Sequence, residues 1–159
     1  MEPKTKRKVT AVVLAAGKGS RMGSRIQKQY LELNGRPLLS YALEAFEHSP
    51  VDQIILVTGA GEEEYCRREI VEARGFTKVT SIVTGGRERH HSVYEGLKAA
   101  SPCDDVLIHD GARPCITGEI IRTAMEGAAK YGACVVGMPV KDTIKMADDN
   151  QDASCTPDR

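Results

Sequence analysis

The residues best equipped for chemistry are cations set among glycines. Lys18 and Arg21 stand beside Gly17, Gly19 and Ser20, and Lys28 follows shortly after. Ala15, Ala16, Gly17 and Gly19 carry almost no side-chain bulk, so a ligand can approach the backbone N–H groups closely. Bare amides with clustered cations suit a polyphosphate; the plainer alternative is a tight turn with solvated charges. Further along, Asp110 follows the apolar run Val106-Leu107-Ile108. A carboxylate there is the hard oxygen ligand that Mg²⁺ accepts, its shell completed by phosphates and water. A helix N-cap or an ion pair with Arg113 would explain the same aspartate. Arg113 offers a planar fork for a second phosphate, or else a structural ion pair. The Ser92 hydroxyl could reach a ribose or base, or else cap a helix.

Two familiar glycine motifs do not fit. The dinucleotide fingerprint needs a third glycine where Met22 stands, and an acidic residue about twenty positions on to hold the ribose. The next strand-like run, Gln53 to Val57, comes much later and ends in Thr58-Gly59-Ala60. A Walker A loop needs a glycine spacing before Lys-Ser or Lys-Thr that is absent here. A dinucleotide-dependent oxidoreductase is thereby disfavoured.

The elements that must position these residues alternate. Apolar runs at Val12–Leu14, Ile54–Val57, Val79–Val83, Val106–Ile108 and Cys134–Val136 predict short buried strands. Leu38, Leu39, Ala42, Leu43 and Phe46 recur at helical spacing after Pro37, a good helix start. Cys66, Ile70 and Ala73 predict a second helix with Gly75 at its end. Val93, Leu97 and Ala100 predict a third, and Ile120, Ile121, Ala124, Met125 and Ala128 a fourth. Alternation of this kind predicts an α/β fold, a mainly parallel Rossmann-like sheet flanked by helices, with ligands at the carboxyl ends of the strands. The candidate site residues obey that rule, each group following a strand.

Composition sets limits. A chain of 159 residues, 41% hydrophobic, can bury one core. Lys+Arg and Asp+Glu both total 22, so no global field recruits nucleic acid and any phosphate site is local. No apolar stretch reaches the length of a membrane span, and no secretory signal is visible. Residues 1–8 read as a basic, frayed tail and 9–159 as one domain. The five cysteines, Cys66, Cys103, Cys115, Cys134 and Cys155, are odd in number and lack a C-x-x-C pair, which points to reduced thiols and a cytoplasmic setting. His90 and His91, adjacent on a predicted helix, diverge by about 100° and make a poor chelate.

Four segments then align with one known pattern. Leu14-Ala15-Ala16-Gly17-Lys18-Gly19-Ser20-Arg21-Met22 resembles the L-A-A-G-x-G-x-R-M signature of sugar-nucleotidyltransferase-like enzymes. Gly85-Gly86-Arg87-Glu88-Arg89-His90-His91-Ser92-Val93 resembles G-G-x-x-R-x-x-S-V. His109-Asp110-Gly111-Ala112-Arg113-Pro114 resembles H-D-[AG]-A-R-P, and Pro139-Val140-Lys141-Asp142-Thr143-Ile144-Lys145 resembles P-V-[KR]-D-T-[IM]-K. In this order they are similar to the 2-C-methyl-D-erythritol 4-phosphate cytidylyltransferase family of the non-mevalonate isoprenoid pathway, over Val9 to Arg159.

The resemblance implies cytidylyl transfer from CTP to a polyol phosphate, with Mg²⁺. It implies Arg21, Lys28 and Arg159 as catalytic residues, the first two around the triphosphate. Ala15, Ala16, Gly17, Lys18, Gly19, Gly86, Arg87, Ser92, Asp110 and Gly111 would hold the nucleotide, with Asp110 on the metal. Arg113, Thr143 and Arg159 would contact the sugar phosphate. Residues 140–159 would form a projecting β-arm, with an exposed turn over Ala147 to Asp152, that exchanges with a second subunit in a homodimer. Family members continue beyond the point matching Arg159, with a tryptophan-bearing segment and a late functional lysine. The expectation is therefore a C-terminally incomplete domain with a CTP pocket largely formed and little turnover. Two alternatives stay open: a cytidylyltransferase for another polyol phosphate such as ribitol phosphate, and a non-catalytic CTP-binding module.

Overall fold

The first strand, β1 (Val9–Ala15), is buried along almost its whole length, so both of its faces are covered. That is the signature of a central strand in a parallel sheet. The computed structural model describes residues 7–17, 26–139, 141, 143–150 and 152–157. After β1 come a 3-10 turn (Lys28–Tyr30), a short antiparallel ladder of β2 (Glu32–Leu33) and β3 (Arg36–Pro37), and helix α1 (Leu38–Glu47). Then follow β4 (Gln53–Thr58), β5 (Val79–Thr84), α3 (Arg89–Ala99), β6 (Asp105–Asp110) and α4 (Gly118–Tyr131). Between β4 and β5 lies a helical segment, α2, that opens as one α-turn (Glu63–Tyr65).

The sheet order is β5-β4-β1-β6, all parallel. The chain moves from β1 outward to β4 and β5, then crosses back to lay β6 on the other side of β1. The topological switch point is therefore between β1 and β6, where open α/β sheets bind ligands outside the strand ends. Alternate residues divide the core. Val9, Ala11, Val13, Ile54 and Leu56 face Leu39, Leu43 and Phe46 of α1, Cys66 and Ile70 of α2, and Ile121 of α4. Val12, Ile55 and Val57 face the other layer, where Ala99 and Ala100 pack. The predicted α/β architecture is present.

Four expectations need correction. Residues 133–139 form neither helix nor strand, so the strand predicted over Cys134–Val136 is absent. Among the described residues no ladder forms on the outer edge of β6, and Val135, 93% exposed, has no partner strand. In α2 the buried residues are Cys66, Ile70 and Val71, and Ala73 is exposed. The segment widens into π-helix (Cys66–Val71) and tightens into a 3-10 turn (Glu72–Arg74), which slips the apolar face by a residue. Gly75 ends it in the left-handed conformation, as expected.

In α3 the buried residues are Ser92 and Gly96, whereas Leu97 is exposed. A Cβ on Gly96 would meet Val12 Cγ1 at 2.4 Å, so the helix lies against the sheet because it presents small residues, not a leucine stripe. The basic tail is anchored at its end: Arg7 donates to both carboxylate oxygens of Asp105, at 2.6 and 2.8 Å. Two parallel charge-assisted bonds of this kind fix geometry well. Residues 1–6 lie outside the described residues.

The predicted turn over Ala147 to Asp152 joins a two-stranded hairpin, β7 (Met146–Ala147) and β8 (Ala153–Cys155), exposed on every described residue. Asp148 Oδ1 accepts from the backbone N–H of Asn150 and Asp152, an Asx-type turn.

Candidate nucleotide-binding site

The strand register decides which residues meet. Leu14 stands opposite Asp110, Ala15 opposite Thr58, and Thr58 opposite Thr84. The segments that follow β1, β5 and β6 therefore emerge at one edge of the sheet. Ala16, Gly85 and Ser92 are mutually packed there: a Cβ on Gly85 would lie 2.5 Å from Ala16 Cβ and 2.7 Å from Ser92 Oγ. Glycine is required at Gly85 by this close approach, and a side chain on Gly86 would collide with His91.

Ser92 is the fourth residue of α3, not its cap. It is buried, its hydroxyl donates to Glu88 O at 3.3 Å and accepts from Gly86 N–H at 3.1 Å. Ser92 thus ties the first turn of α3 to the glycine pair. Gly111 is equally confined, with its N–H on Leu14 O at 2.7 Å and Leu39 of α1 beside its α-carbon. Arg87, between these groups, is exposed.

Asp110 ends β6 and is held from both sides. Its Oδ1 accepts from Arg89 Nε and Nη2 at 3.1 and 3.0 Å, and its Oδ2 from Arg113 Nε at 3.0 Å. The ion pair with Arg113 that the sequence left open is formed. Arg89 is its counterpart, a residue whose signal in the sequence was the cation inside Gly85–Val93. Two guanidiniums on one carboxylate leave a surplus positive charge at the switch point. The arginine side chains are 62% and 75% exposed, so both remain within reach of an incoming anion. Below them, His109 packs edge-on against Phe46 and its Nε2 lies 3.2 Å from Arg113 O. Burial pushes its pKa below the ordinary histidine value.

Lys28 opens the 3-10 turn with its side chain exposed. Its neighbour Gln29 is buried and donates to Ala15 O at 2.5 Å and Gly17 O at 3.2 Å, which puts Lys28 beside the loop that follows β1. Ala15, Ala16 and Gly17 are at the strand end, whereas Lys18, Gly19, Arg21 and Arg159 lie outside the described residues. Thr143 is on the exposed approach to β7, not at a strand end of the parallel sheet. His90 and His91 do not diverge as expected. Their rings lie 4.0 Å apart, and His90 leans on Glu88. Among the described residues no group of three His, Cys, Asp or Glu side chains could hold a metal ion, and no helix is long and apolar enough to cross a membrane.

Known proteins resemble this chain in sequence and fold. The family model described as IspD, 2-C-methyl-D-erythritol 4-phosphate cytidylyltransferase, matches residues 9–159. A curated relative of that name from Alkaliphilus oremlandii is 49% identical over 96% of this chain, and one from Lachnospira eligens is 52% identical over 94%. The chain spans 65% and 66% of their lengths. The crystal structure of 4-diphosphocytidyl-2C-methyl-D-erythritolsynthase from Anaerococcus prevotii superposes with a TM-score of 0.82 at 30% identity, over 96% of this chain and 64% of that one. By the extent of the family match and the identity of its relatives, this chain belongs to the 2-C-methyl-D-erythritol 4-phosphate cytidylyltransferase family.

Proposed function

We propose that the protein transfers the cytidylyl group of CTP to 2-C-methyl-D-erythritol 4-phosphate, with release of pyrophosphate, as a cytoplasmic step toward isoprenoid precursors. The observation that carries this reading is the meeting of the Ala15–Gly17 segment, the Gly85–Gly86–Ser92 contact and the Arg89–Asp110–Arg113 triad at the switch point, in a chain of this family. The relatives' names favour methylerythritol phosphate over ribitol phosphate.

The chemistry needs alignment more than proton transfer. A phosphomonoester has a second pKa near ~6 and is largely dianionic at neutral pH, so it attacks without a general base. Its oxygen forms a bond to the α-phosphorus of CTP as the bond from that phosphorus to the oxygen it shares with the β-phosphate breaks, and that oxygen leaves with the electron pair on pyrophosphate. Lys28 and Arg21 offset charge gathering on the triphosphate. Backbone N–H groups of the small-residue loop hold the phosphates, and Lys18, Gly19, Gly86, Arg87 and Gly111 line the nucleotide pocket. Arg113, Thr143 and Arg159 hold the sugar phosphate, so that two repelling anions meet in line.

Asp110 fits a divalent cation that is seated mainly by nucleotide phosphates. Among the described residues its Oδ2 accepts from one guanidinium, Arg113, and Mg²⁺ needs few protein carboxylates. Bound there, the ion would neutralise phosphoryl oxygens. The segment around Thr143 completes the site of a second copy in a homodimer.

The test is pyrophosphate release by the whole protein from CTP with a panel of polyol phosphates. Release with methylerythritol phosphate well above that with ribitol phosphate supports the reading, and CTP binding without release from any of them favours a non-catalytic module.

A further inference from the structure

Next to the proposed site, a chain of side chains joins three loops. Gln29, 3% exposed, holds its Nε2 near three acceptors, Ala15 O and Gln27 Oε1 at 2.5 Å and Gly17 O at 3.2 Å, which share its two N–H groups. Gln27 in turn donates to Glu62 Oε1. Glu62 Oε2 accepts from Tyr30 OH at 2.8 Å and from Gly59 N–H at 3.1 Å. The Glu62 carboxylate folds so closely over Gly59 that a Cβ there would meet its Cδ at 2.8 Å. Loops after β1 and β4 and the 3-10 turn are thus bound into one unit, with Lys28 standing between Gln27 and Gln29.

The chain has a fixed polarity. One end is a pair of backbone carbonyls, which only accept, and the other is a carboxylate, which only accepts when ionised. Two amides between them must both donate outward. Turning either one over would point an amide oxygen at an acceptor or an NH₂ at a donor, so the ends lock both rotamers. A part-buried network held at both ends in this way favours one geometry.

We propose that Glu62 and Gln29 are positioning residues: their relay of amides sets the separation between the Lys28 cation and the phosphate-facing loop at Ala15–Gly17. The inference rests on the function proposed above. Gln29 Nε2 also faces the carbonyls of Ala15 and Gly17, drawing off negative dipoles at the start of the loop. Neither residue touches substrate; both act through Lys28 and the loop.

Glu62→Gln keeps the shape but puts an NH₂ against a donor at one end. It is expected to weaken CTP binding about tenfold, the cost of one broken charge-assisted contact, and to lower kcat more than it raises the KM for the sugar phosphate. In a Lys28→Ala background the same change should cost less than about twofold. Gln27→Ala, which cuts the relay midway, should reproduce the loss if Glu62→Gln folds poorly. Calorimetry with CTP and the melting temperature of each variant are read together. Wild-type affinity in both relay variants overturns the proposal, as does a full tenfold loss persisting without Lys28, which marks a structural role. Pyrophosphate release separates the two readings. A wild type that binds CTP but releases none with methylerythritol phosphate overturns the function while the affinities still judge the relay. A wild type that does not bind CTP overturns both.

Discussion

Lys28 carries its charge in solvent while the residues on either side of it are clamped. A cation so placed costs the fold little and is free to meet a phosphate. In the whole protein, Lys28→Ala is expected to lower turnover on the order of 10²–10³-fold, the usual effect of deleting one charge-stabilising donor, with the melting temperature unchanged. Steady-state pyrophosphate release and a thermal melt on the same preparation check both halves. His109 makes the opposite case. Burial holds its pKa below about 6.5, its value in an unfolded chain, so between those values the unfolded state binds more protons. Stability is then present above pH 6.5 and is lost as the pH falls toward the folded-state pKa. Melts from pH 7.5 to 5 should show that loss, and His109→Gln should flatten it. The carboxylates held down by partners, Asp105 beside Arg7 and Glu63 beside Thr84, act only at lower pH.

At the scale of elements, α3 sits where it does because it carries small residues toward the sheet. Gly96→Val would drive a side chain into Val12 and Val57. Overpacking of that kind costs about 1–3 kcal/mol, and lifting α3 should also loosen the Ser92–Gly86 contact and weaken CTP binding. Gly118→Ala, with nothing within 4 Å of the new methyl, is the neutral control. Urea unfolding of the two variants checks the contrast. This helix also shows how far the sequence could be read. The parallel strands from Val12 and Ile54 were legible because continuous apolar runs mean burial on both faces; those from Val79 and Val106 form as expected but as sheet edges without a buried residue, Val106 being 36% and Ile108 45% exposed. The α3 face was not, since a packing surface of Ser92 and Gly96 has no hydrophobic period, and Val93 and Leu97 supply a misleading one. Cys134–Val136 misled for a related reason: strand-like composition makes a strand only when the segment pairs, and among the described residues nothing pairs with the outer edge of β6.

For the molecule as a whole, crossover order brings distant residues together. Ala16, Gly85, Ser92, Asp110 and Arg113 were all legible as candidates, because each follows an apolar run and belongs to a recognisable motif. The Gln29–Gln27–Glu62 relay was not, for it joins segments far apart in sequence through hydrogen bonds that leave no pattern in composition. The exposed hairpin β7–β8 predicts a property of the assembly. If the segment around Thr143 completes a second copy's site, sedimentation should give a dimer, and removal of residues 146–155 should shift it to a monomer. The switch-point edge between β1 and β6 should bind CTP together with a divalent cation. Calorimetry of the chain with CTP, ATP and GTP, with and without Mg²⁺, tests it most directly. CTP should bind more tightly than either purine nucleotide and only with Mg²⁺ at full strength, and Asp110→Asn should abolish the Mg²⁺ dependence. Equal affinity for ATP and CTP, or binding indifferent to both Mg²⁺ and Asp110, would contradict it.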